Sequence, residues 1–300
     1  RDDNSSLVPK LRLGTRVSKL RFAQAFRLFD RFDLFDSWHR LCRSRHPAAY
    51  ADRLATGNPA RHKCRIRSST TWMRFFRLLS SQSMAAHRKS PAPLKILFIG
   101  NSFTARNDLP TLIAQMAATR GRKLQHRLIS AGGASLRTHW NAGKAPAAIK
   151  DGHYDFVVLQ EQSTLPIKNV RRMHENVRLF DEAIKSAGAK TVLYMTWARR
   201  NAPESQQAIT DAYRSIGREL GATVVPVGVA WQRFIGKHDA PVLHDRDQSH
   251  PTLAGSYLAA CVFFATLLQG SPVGVAGEIP GLSEAERLLL QKTAWQVCIQ

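Results

Sequence analysis

Beyond residue 93 the chain alternates short, almost continuously apolar runs with longer segments in which apolar residues recur every three to four positions. Short apolar runs bounded by turn residues indicate buried strands, and the longer period indicates helices with one buried face. The predicted strands are 95–100, 123–130, 154–160, 191–197 and 222–228. The predicted helices are 109–120, 170–188, 203–221, 228–238, 250–269 and 282–298, with two short helical pieces at 136–140 and 145–150.

Strands that alternate with helices of this length are joined by crossovers, which make neighbouring strands parallel and cover both faces of the sheet. We therefore predict an α/β fold over residues 94–300, a flavodoxin-like three-layer sandwich around a five-stranded parallel sheet. Reactive groups gather at the carboxyl ends of the strands in such a sheet. Neither GxxxxGK[ST] nor GxGxxG occurs in the sequence, which argues against a nucleotide-binding version of this fold.

Residues 1–90 differ from the rest of the chain in pattern. An amphipathic helix over 21–41 is possible, but the surrounding Arg-, Ser- and Pro-rich runs have no sustained period. We predict a separate, basic and poorly ordered N-terminal segment. Two interpretations stay open, because the pattern changes after Met84: residues 1–83 are translated sequence upstream of a natural start at Met84, or they are a genuine basic arm.

The excess of basic residues is also concentrated in residues 1–90. The chain has 44 Lys and Arg against 22 Asp and Glu, a net charge of +22, and such an excess is typical of proteins that bind nucleic acid or anionic membranes. Residues 1–90 hold 20 of the basic and 6 of the acidic residues, whereas residues 91–300 hold 24 and 16. The domain over 94–300 is thus only moderately basic, and we predict no nucleic-acid partner for it.

Targeting and metal-binding signals are weak. The chain has no apolar run of about 18 residues, so it predicts no membrane span, and neither Arg1 nor Met84 is followed by an apolar signal core. We expect a cytoplasmic protein. The four cysteines lack CxxC or metal-ligand spacing, and Cys261, inside the apolar run 258–268, is predicted to be a buried thiol.

The first predicted strand ends in ILFIGNSFT, which places Ser102 at the rim of the sheet. A serine in this position suits a nucleophile, because the exposed N–H groups of a following helix N-terminus can hold the oxyanion that it creates. A plain turn, with Ser102 or Thr104 as a helix cap, is the alternative interpretation.

A second candidate motif, DQSHP, precedes the long apolar helix near the end of the chain. Asp247 and His250 are spaced so that the carboxylate can accept from one imidazole nitrogen and leave the other free to act as a base. The alternatives are an ordinary surface loop, or substitution of either residue by its neighbours Asp245 and His244.

These two motifs, with five strands alternating between them, resemble the SGNH/GDSL hydrolase superfamily over roughly 94–270. The resemblance implies that Ser102 is the nucleophile, His250 the base and Asp247 its orienting acid. It also matches SAGGASL, after the second strand, to the family's second block, which implies that Gly132 or Gly133 donates a backbone N–H to the oxyanion.

The third block departs from the family pattern. Where the family has GxND, with the Asn side chain donating to the oxyanion, this chain has VVLQEQS. Gln162 falls at the position of the Asn and carries the same carboxamide, and Gln160 is the competing candidate. Glu161 is expected either to be structural or to contact a hydroxylated substrate.

The resemblance implies a hydrolase of carboxylic esters, with short acyl groups such as acetyl, on a small molecule or a glycan, as the expected substrates and no metal or organic cofactor. A non-catalytic binding module on the same fold is the alternative. Trp197, after the fourth strand, and Gln160 are expected to contact substrate, although an aromatic residue at position 197 fits packing equally well.

Overall fold

A computed structural model describes residues 92–299, so the predictions for residues 1–90 concern a part of the chain outside this range. The described strands are β1 (Leu94–Gly100), β2 (Leu124–Ser130), β3 (Phe156–Leu159), β4 (Lys190–Tyr194) and β5 (Thr223–Val225). The described helices are α1 (Ser102–Ala105), α2 (Leu109–Ala118), α3 (Leu136–Asn141), α4 (Lys144–Gly152), α5 (Leu165–Lys168), α6 (Val170–Ser186), α7 (Gln206–Leu220), α8 (Val227–Ile235), α9 (Leu253–Leu268) and α10 (Glu284–Cys298). Short 3-10 turns, Arg106–Asp108 and Pro203–Ser205, precede α2 and α7.

The strands form one parallel sheet in the order β2-β1-β3-β4-β5. This is the flavodoxin-like order, in which the direction of strand addition across the sheet reverses between β1 and β3. The predicted α/β sandwich with five parallel strands is confirmed. All five strands end at the same edge, and the crevice between β1 and β3 opens there.

Alternation along the strands separates two apolar cores. On β1, Ile96 and Phe98 face a core that includes α2, α8, α9 and α10. Leu97 and Ile99 face the opposite core, which includes α3, α4, α6 and α7. Because successive strand residues point to opposite faces, a continuous apolar run is what a sheet covered on both sides requires.

Some of the strand boundaries predicted from the sequence pattern are wrong. The fifth strand, predicted over 222–228, ends at Val225 because Pro226 lacks the N–H needed for further pairing and stands at the start of α8.

Helix α9 is buried on nearly all sides, and Cys261 within it is fully buried, as predicted. No helix among residues 92–299 is long and apolar enough to cross a membrane.

Candidate active site

Ser102 follows β1 on a loop whose geometry depends on its neighbours. Asn101 caps α1, its side-chain oxygen accepting from the N–H of Phe103 at 3.1 Å. Gly100 leaves no room for a side chain, because a Cβ there would lie 2.5 Å from Gln160 Oε1 and 2.6 Å from Thr104 Oγ1. Because position 100 has no side chain, Gln160 and Thr104 can pack closely against the end of β1, and Ser102, which is half-buried, lies at the rim just beyond it.

His250 lies directly against Ser102. Its Nε2 is 2.7 Å from Ser102 Oγ, and its Nδ1 makes a very short hydrogen bond with Asp247 Oδ2. The other carboxylate oxygen of Asp247 accepts from the N–H of Ser249 at 3.0 Å and of His250 at 2.9 Å. With Nδ1–H donated to the carboxylate, Nε2 is the acceptor for the serine hydroxyl, which is the tautomer that a general base needs.

Asp247 is an ionised partner that faces solvent. The hydrogen bond from His250, supported by the two N–H donors, holds the pKa of Asp247 well below its usual range, against the opposing effect of burial. The side chains of His250 and Asp247 are 28% and 46% exposed. Solvent therefore screens this charge pair, and its strength comes from hydrogen-bond geometry more than from a low dielectric.

The neighbours His244 and Asp245, which sequence alone left open as substitutes, have other roles. His244 is buried with its Nε2 3.0 Å from the carbonyl oxygen of Ala198, and burial lowers its pKa. Asp245 forms an ion pair with Arg106 at 2.5 Å. Neither residue takes the place of Asp247 beside His250.

An aromatic stack supports the histidine loop from inside the protein. Trp197 lies between Phe103 and Trp231, with ring centroids 4.7 Å and 3.8 Å away and near-parallel planes, and Phe103 also meets His250 edge-on at 5.4 Å. Trp197 Nε1 donates to the carbonyl oxygen of Ser249 at 3.0 Å. Since Trp197 is 2% exposed, the prediction that it contacts substrate is wrong, and it is a packing residue that holds the loop.

Sequence reasoning missed two residues that tie the serine loop to the histidine loop. Asn107 Nδ2 donates to Ser256 Oγ at 2.9 Å and to the carbonyl oxygen of Pro251 at 3.3 Å, from a left-handed backbone with φ 55°. Arg106 makes the ion pair with Asp245 described above. Asn tolerates this backbone region better than most residues, but nothing in the local sequence identifies partners more than 130 positions away.

The glycine loop after β2 lies beside Ser102. The N–H of Ala131 donates to the carbonyl oxygen of Gly100 at 3.4 Å, and Asn101 Nδ2 donates to the carbonyl oxygen of Ala134 at 3.1 Å. Gly132 and Gly133 between these contacts are exposed, and a Cβ on either would meet nothing within 4 Å. Gly133 has a φ of +65°, which favours glycine. Packing therefore does not require these glycines, whereas the backbone turn does require Gly133.

The two glutamines after β3 differ sharply. Gln160 is fully buried, and its Oε1 accepts from the N–H of Asn101 at 2.8 Å and from Thr104 Oγ1 at 3.0 Å. Its Nε2 donates to the carbonyl oxygen of Glu161 at 2.6 Å. These bonds use both ends of the amide inside the protein, so the prediction that Gln160 contacts substrate is wrong; it supports the serine loop.

Gln162 is half-buried, and its Oε1 accepts from the N–H groups of Thr164 and Leu165 at the start of α5. The amide nitrogen is the side chain's remaining polar group and the one that an oxyanion donor would use. Glu161, by contrast, is fully buried among hydrogen-bond donors, which favours the structural of its two expected roles. Among residues 92–299, no three His, Cys, Asp or Glu side chains form a group that could hold a metal ion.

Solved structures provide comparisons for the whole domain. A protein from Slackia heliotrinireducens, described as a candidate SGNH hydrolase, is 29% identical with a TM-score of 0.52, over 58% of this chain and 99% of the other. A DUF4886 family protein from Bacteroides uniformis is 19% identical with a TM-score of 0.57, over 69% of this chain and 95% of the other. No protein-family model and no curated protein matches the chain. The structural similarity, which spans nearly all of both solved chains, shows that this chain has the SGNH-hydrolase-like fold that its motifs resemble.

Proposed function

We propose that the chain is a serine esterase that cleaves carboxylic ester bonds with Ser102, His250 and Asp247. The observation that carries the proposal is the continuous contact from Ser102 Oγ through the imidazole of His250 to Asp247. A binding module on the same fold has no need for a serine 2.7 Å from a histidine whose other nitrogen is held by a carboxylate. The similarity to a candidate SGNH hydrolase supports the same reaction class.

In the proposed reaction, Ser102 Oγ attacks the ester carbonyl carbon while its proton moves to His250 Nε2. The carbonyl oxygen becomes an oxyanion as the new C–O bond forms. When the tetrahedral intermediate collapses, the bond to the alcohol oxygen breaks and that oxygen takes the proton from Nε2. Water then repeats the sequence on the acyl-enzyme, which releases the acid and restores Ser102. Asp247 keeps the imidazole oriented and stabilises its charged form.

The oxyanion needs donors that are in place before it forms. The proposed donors are the backbone N–H of Ser102, a backbone N–H of the Gly132–Gly133 turn, and Nε2 of Gln162. The loop contacts at Ala131 and Ala134 keep the turn next to Gly100 and Asn101, which supports this assignment. Only side chains, backbone groups and water take part in the proposed steps.

We further propose that the substrates carry short acyl groups, acetyl above all, on a small molecule or a glycan. The aromatic side chain that meets His250, that of Phe103, is buried against Trp197, so neither ring lines a cleft for a long acyl chain. The partial exposure of His250 and Asp247 is compatible with a bulky, hydrated alcohol group in the ester.

Hydrolysis of an aryl acetate by the full chain tests the proposal. We expect turnover that Ser102→Ala reduces to the background rate, with the thermal unfolding temperature almost unchanged because Ser102 is not a core residue. His126→Ala, at an exposed position on β2, is the matched control and should retain wild-type turnover. Full activity in Ser102→Ala, or a folded wild-type protein without activity on any of a range of short-chain esters, would contradict the proposal.

A further inference from the structure

A fully buried carboxylate, that of Glu161, joins the segment that follows β2 to the segment that follows β3. Its Oε1 accepts from the N–H of Leu136, at the start of α3, at 2.9 Å and from the N–H of Gln162 at 2.8 Å. Leu136 is three residues beyond Gly133 and follows Ser135, the capping residue of α3. A single oxygen atom therefore links the start of α3, just after the Gly132–Gly133 turn, to the backbone of Gln162.

The second oxygen of Glu161 is held as firmly. Asn176 Nδ2, on α6, donates to Glu161 Oε2 at 2.8 Å, while Asn176 Oδ1 accepts from Arg137 Nε at 3.0 Å. The arginine sets the orientation of the asparagine amide, because the reversed amide would place a donor against a donor. Both oxygens of Glu161 are thus acceptors, and all three of its partners are donors.

This donor set suits the ionised form of Glu161, whereas burial opposes it. Burial raises the pKa of Glu161 above its usual range, and the bonds from Asn176 and from the two N–H groups, with the charge of Arg172, act in the lowering direction. Burial, and after it the charge of Glu161, raise the pKa of the buried Tyr213 hydroxyl group. Burying a charge costs free energy. We therefore expect the Glu161 carboxylate to have a role in the site beyond stabilising the fold.

We propose that Glu161 is a positioning residue for the oxyanion hole, which holds the Gly132–Gly133 turn and Gln162 at the separation that the tetrahedral intermediate requires. The proposal rests on the function proposed above. Glu161 contacts no substrate in this scheme and acts only through the donors of the two loops.

The proposal has a kinetic consequence that a merely structural role lacks. The carbonyl oxygen of the ester gains most of its negative charge in the transition state. Misplaced donors therefore weaken transition-state binding far more than substrate binding. Replacing the carboxylate should therefore reduce kcat and leave KM nearly unchanged. A trifluoromethyl ketone, which adds to a catalytic serine and leaves an oxyanion, should lose affinity in parallel.

The experiment compares Glu161→Gln with a matched buried carboxylate, Asp181→Asn. Asp181 is buried on α6, accepts from Thr191 Oγ1 at 2.7 Å and pairs with Lys185 at 2.7 Å, at the amino end of β4 and away from the site. Both variants remove a buried negative charge without changing side-chain size. We expect Glu161→Gln to lower kcat and to raise the Ki of the ketone, each by about 10-fold to 100-fold, with KM changed less than about threefold. Asp181→Asn should change the unfolding temperature only.

Labelling of wild-type Ser102 by a fluorophosphonate, measured first, separates failure of the function from failure of the inference. If the wild type is neither labelled nor active, the proposed function fails and the positioning role fails with it. If the wild type is labelled, a Glu161→Gln protein that keeps kcat and Ki within about threefold overturns the positioning role alone. The positioning role is also overturned if Glu161→Gln and Asp181→Asn lose kcat in the same proportion to their loss of unfolding temperature.

A second variant keeps the test decisive if Glu161→Gln does not fold. Asn176→Ala leaves the carboxylate and its bonds to both loops but removes the donor that holds Oε2. We expect a smaller effect of the same kind, a decrease in kcat of about threefold to 10-fold with KM unchanged. An Asn176→Ala protein with wild-type kcat and ketone affinity would overturn the proposal.

Discussion

The two sides of Ser102 are built in opposite ways. On one side, His250 and Asp247 stand in the loop 244–252 with side chains 28% and 46% exposed. On the other side, Gln160 and Glu161 are fully buried, and their polar side-chain atoms form hydrogen bonds with backbone and side-chain partners. The residues proposed to move protons are in contact with water, whereas the residues that support the proposed oxyanion donors are buried. Proton transfer to a leaving group needs access, whereas donors need a fixed position before charge develops.

The two carboxylates differ electrostatically as well. Hydrogen bonding lowers the pKa of Asp247, and burial raises the pKa of Glu161. Both are held by two backbone N–H groups and one side-chain donor. The difference in burial therefore decides the direction of each shift, and it gives each side of the site its own response to mutation and to pH.

The largest effect is expected on the exposed side. Asp247→Asn keeps the size of the side chain but presents a carboxamide to His250, which favours the wrong imidazole tautomer. We expect kcat/KM for an aryl acetate to decrease by about 10³-fold to 10⁴-fold. Asp245→Asn is the matched control, because Asp245 pairs with Arg106 at the surface, and it should lose little activity. Equal losses in the two variants would show that Asp247 has no special role.

A smaller loss is expected from the donor on the opposite side. Gln162→Glu retains an oxygen that can accept from Thr164 and Leu165 but replaces the amide donor with a negative charge. We expect kcat to decrease by about 10²-fold to 10³-fold with KM little changed. Gln248→Glu, at an exposed position in the histidine loop, adds the same charge without removing a proposed donor.

If Gln162→Glu and Gln248→Glu have the same activity, Gln162 does not donate to the oxyanion. The two glutamines after β3 then share a structural role, and the third block of this chain lacks a side-chain donor.

These residues also show what a sequence can predict. The five strands follow from apolar runs, and Ser102, Asp247 and His250 stand out because one motif lies where a predicted strand ends and the other where a predicted helix begins. The buried state of Gln160 was not predictable in this way. The strand ends at Leu159, so the regular alternation that places residues on one face or the other no longer applies at positions 160 to 162.

Trp197 illustrates a second kind of limit. Its burial depends on Phe103 and Trp231, which belong to α1 and α8 and come together only in the folded sheet. The bond from its indole to Ser249 crosses 52 positions. Local patterns carry no information about such partners, so an aromatic residue at the rim can be read either as a substrate contact or as packing.

A moderate effect is expected where the aromatic stack meets the histidine loop. Trp197→Phe removes the indole N–H that donates to the Ser249 carbonyl. Trp231→Phe removes an indole whose buried Nε1 has no hydrogen-bond partner within residues 92–299. We expect Trp197→Phe to lower the free energy of unfolding by about 1 kcal/mol more than Trp231→Phe does, as measured by denaturant titration. Kinetically, only Trp197→Phe should reduce kcat.

The smallest expected effect is a difference in pH response. A lowered pKa means that Asp247 stabilises the fold above its usual pKa and that this contribution decreases as the pH falls towards the lowered value. A raised pKa means that the ionised form of Glu161 costs stability at neutral pH, and protonation relieves this cost as the pH falls. From about pH 7 to about pH 3, the wild type should lose stability relative to Asp247→Asn, mostly below about pH 4, and gain it relative to Glu161→Gln.

Thermal unfolding of the three proteins across that range measures the two differences. Shifts in the same direction for both variants would contradict the contrast between an exposed and a buried carboxylate.

The central claim is that Ser102 is a nucleophile activated by His250. The most direct measurement is covalent labelling of the full chain with a fluorophosphonate, followed by mass-spectrometric mapping of the modified peptide. We predict one label per chain, located on Ser102, with labelling slowed severely in His250→Ala while the fold is retained. A folded wild-type protein that stays unlabelled, or a label on a different residue, would contradict the account.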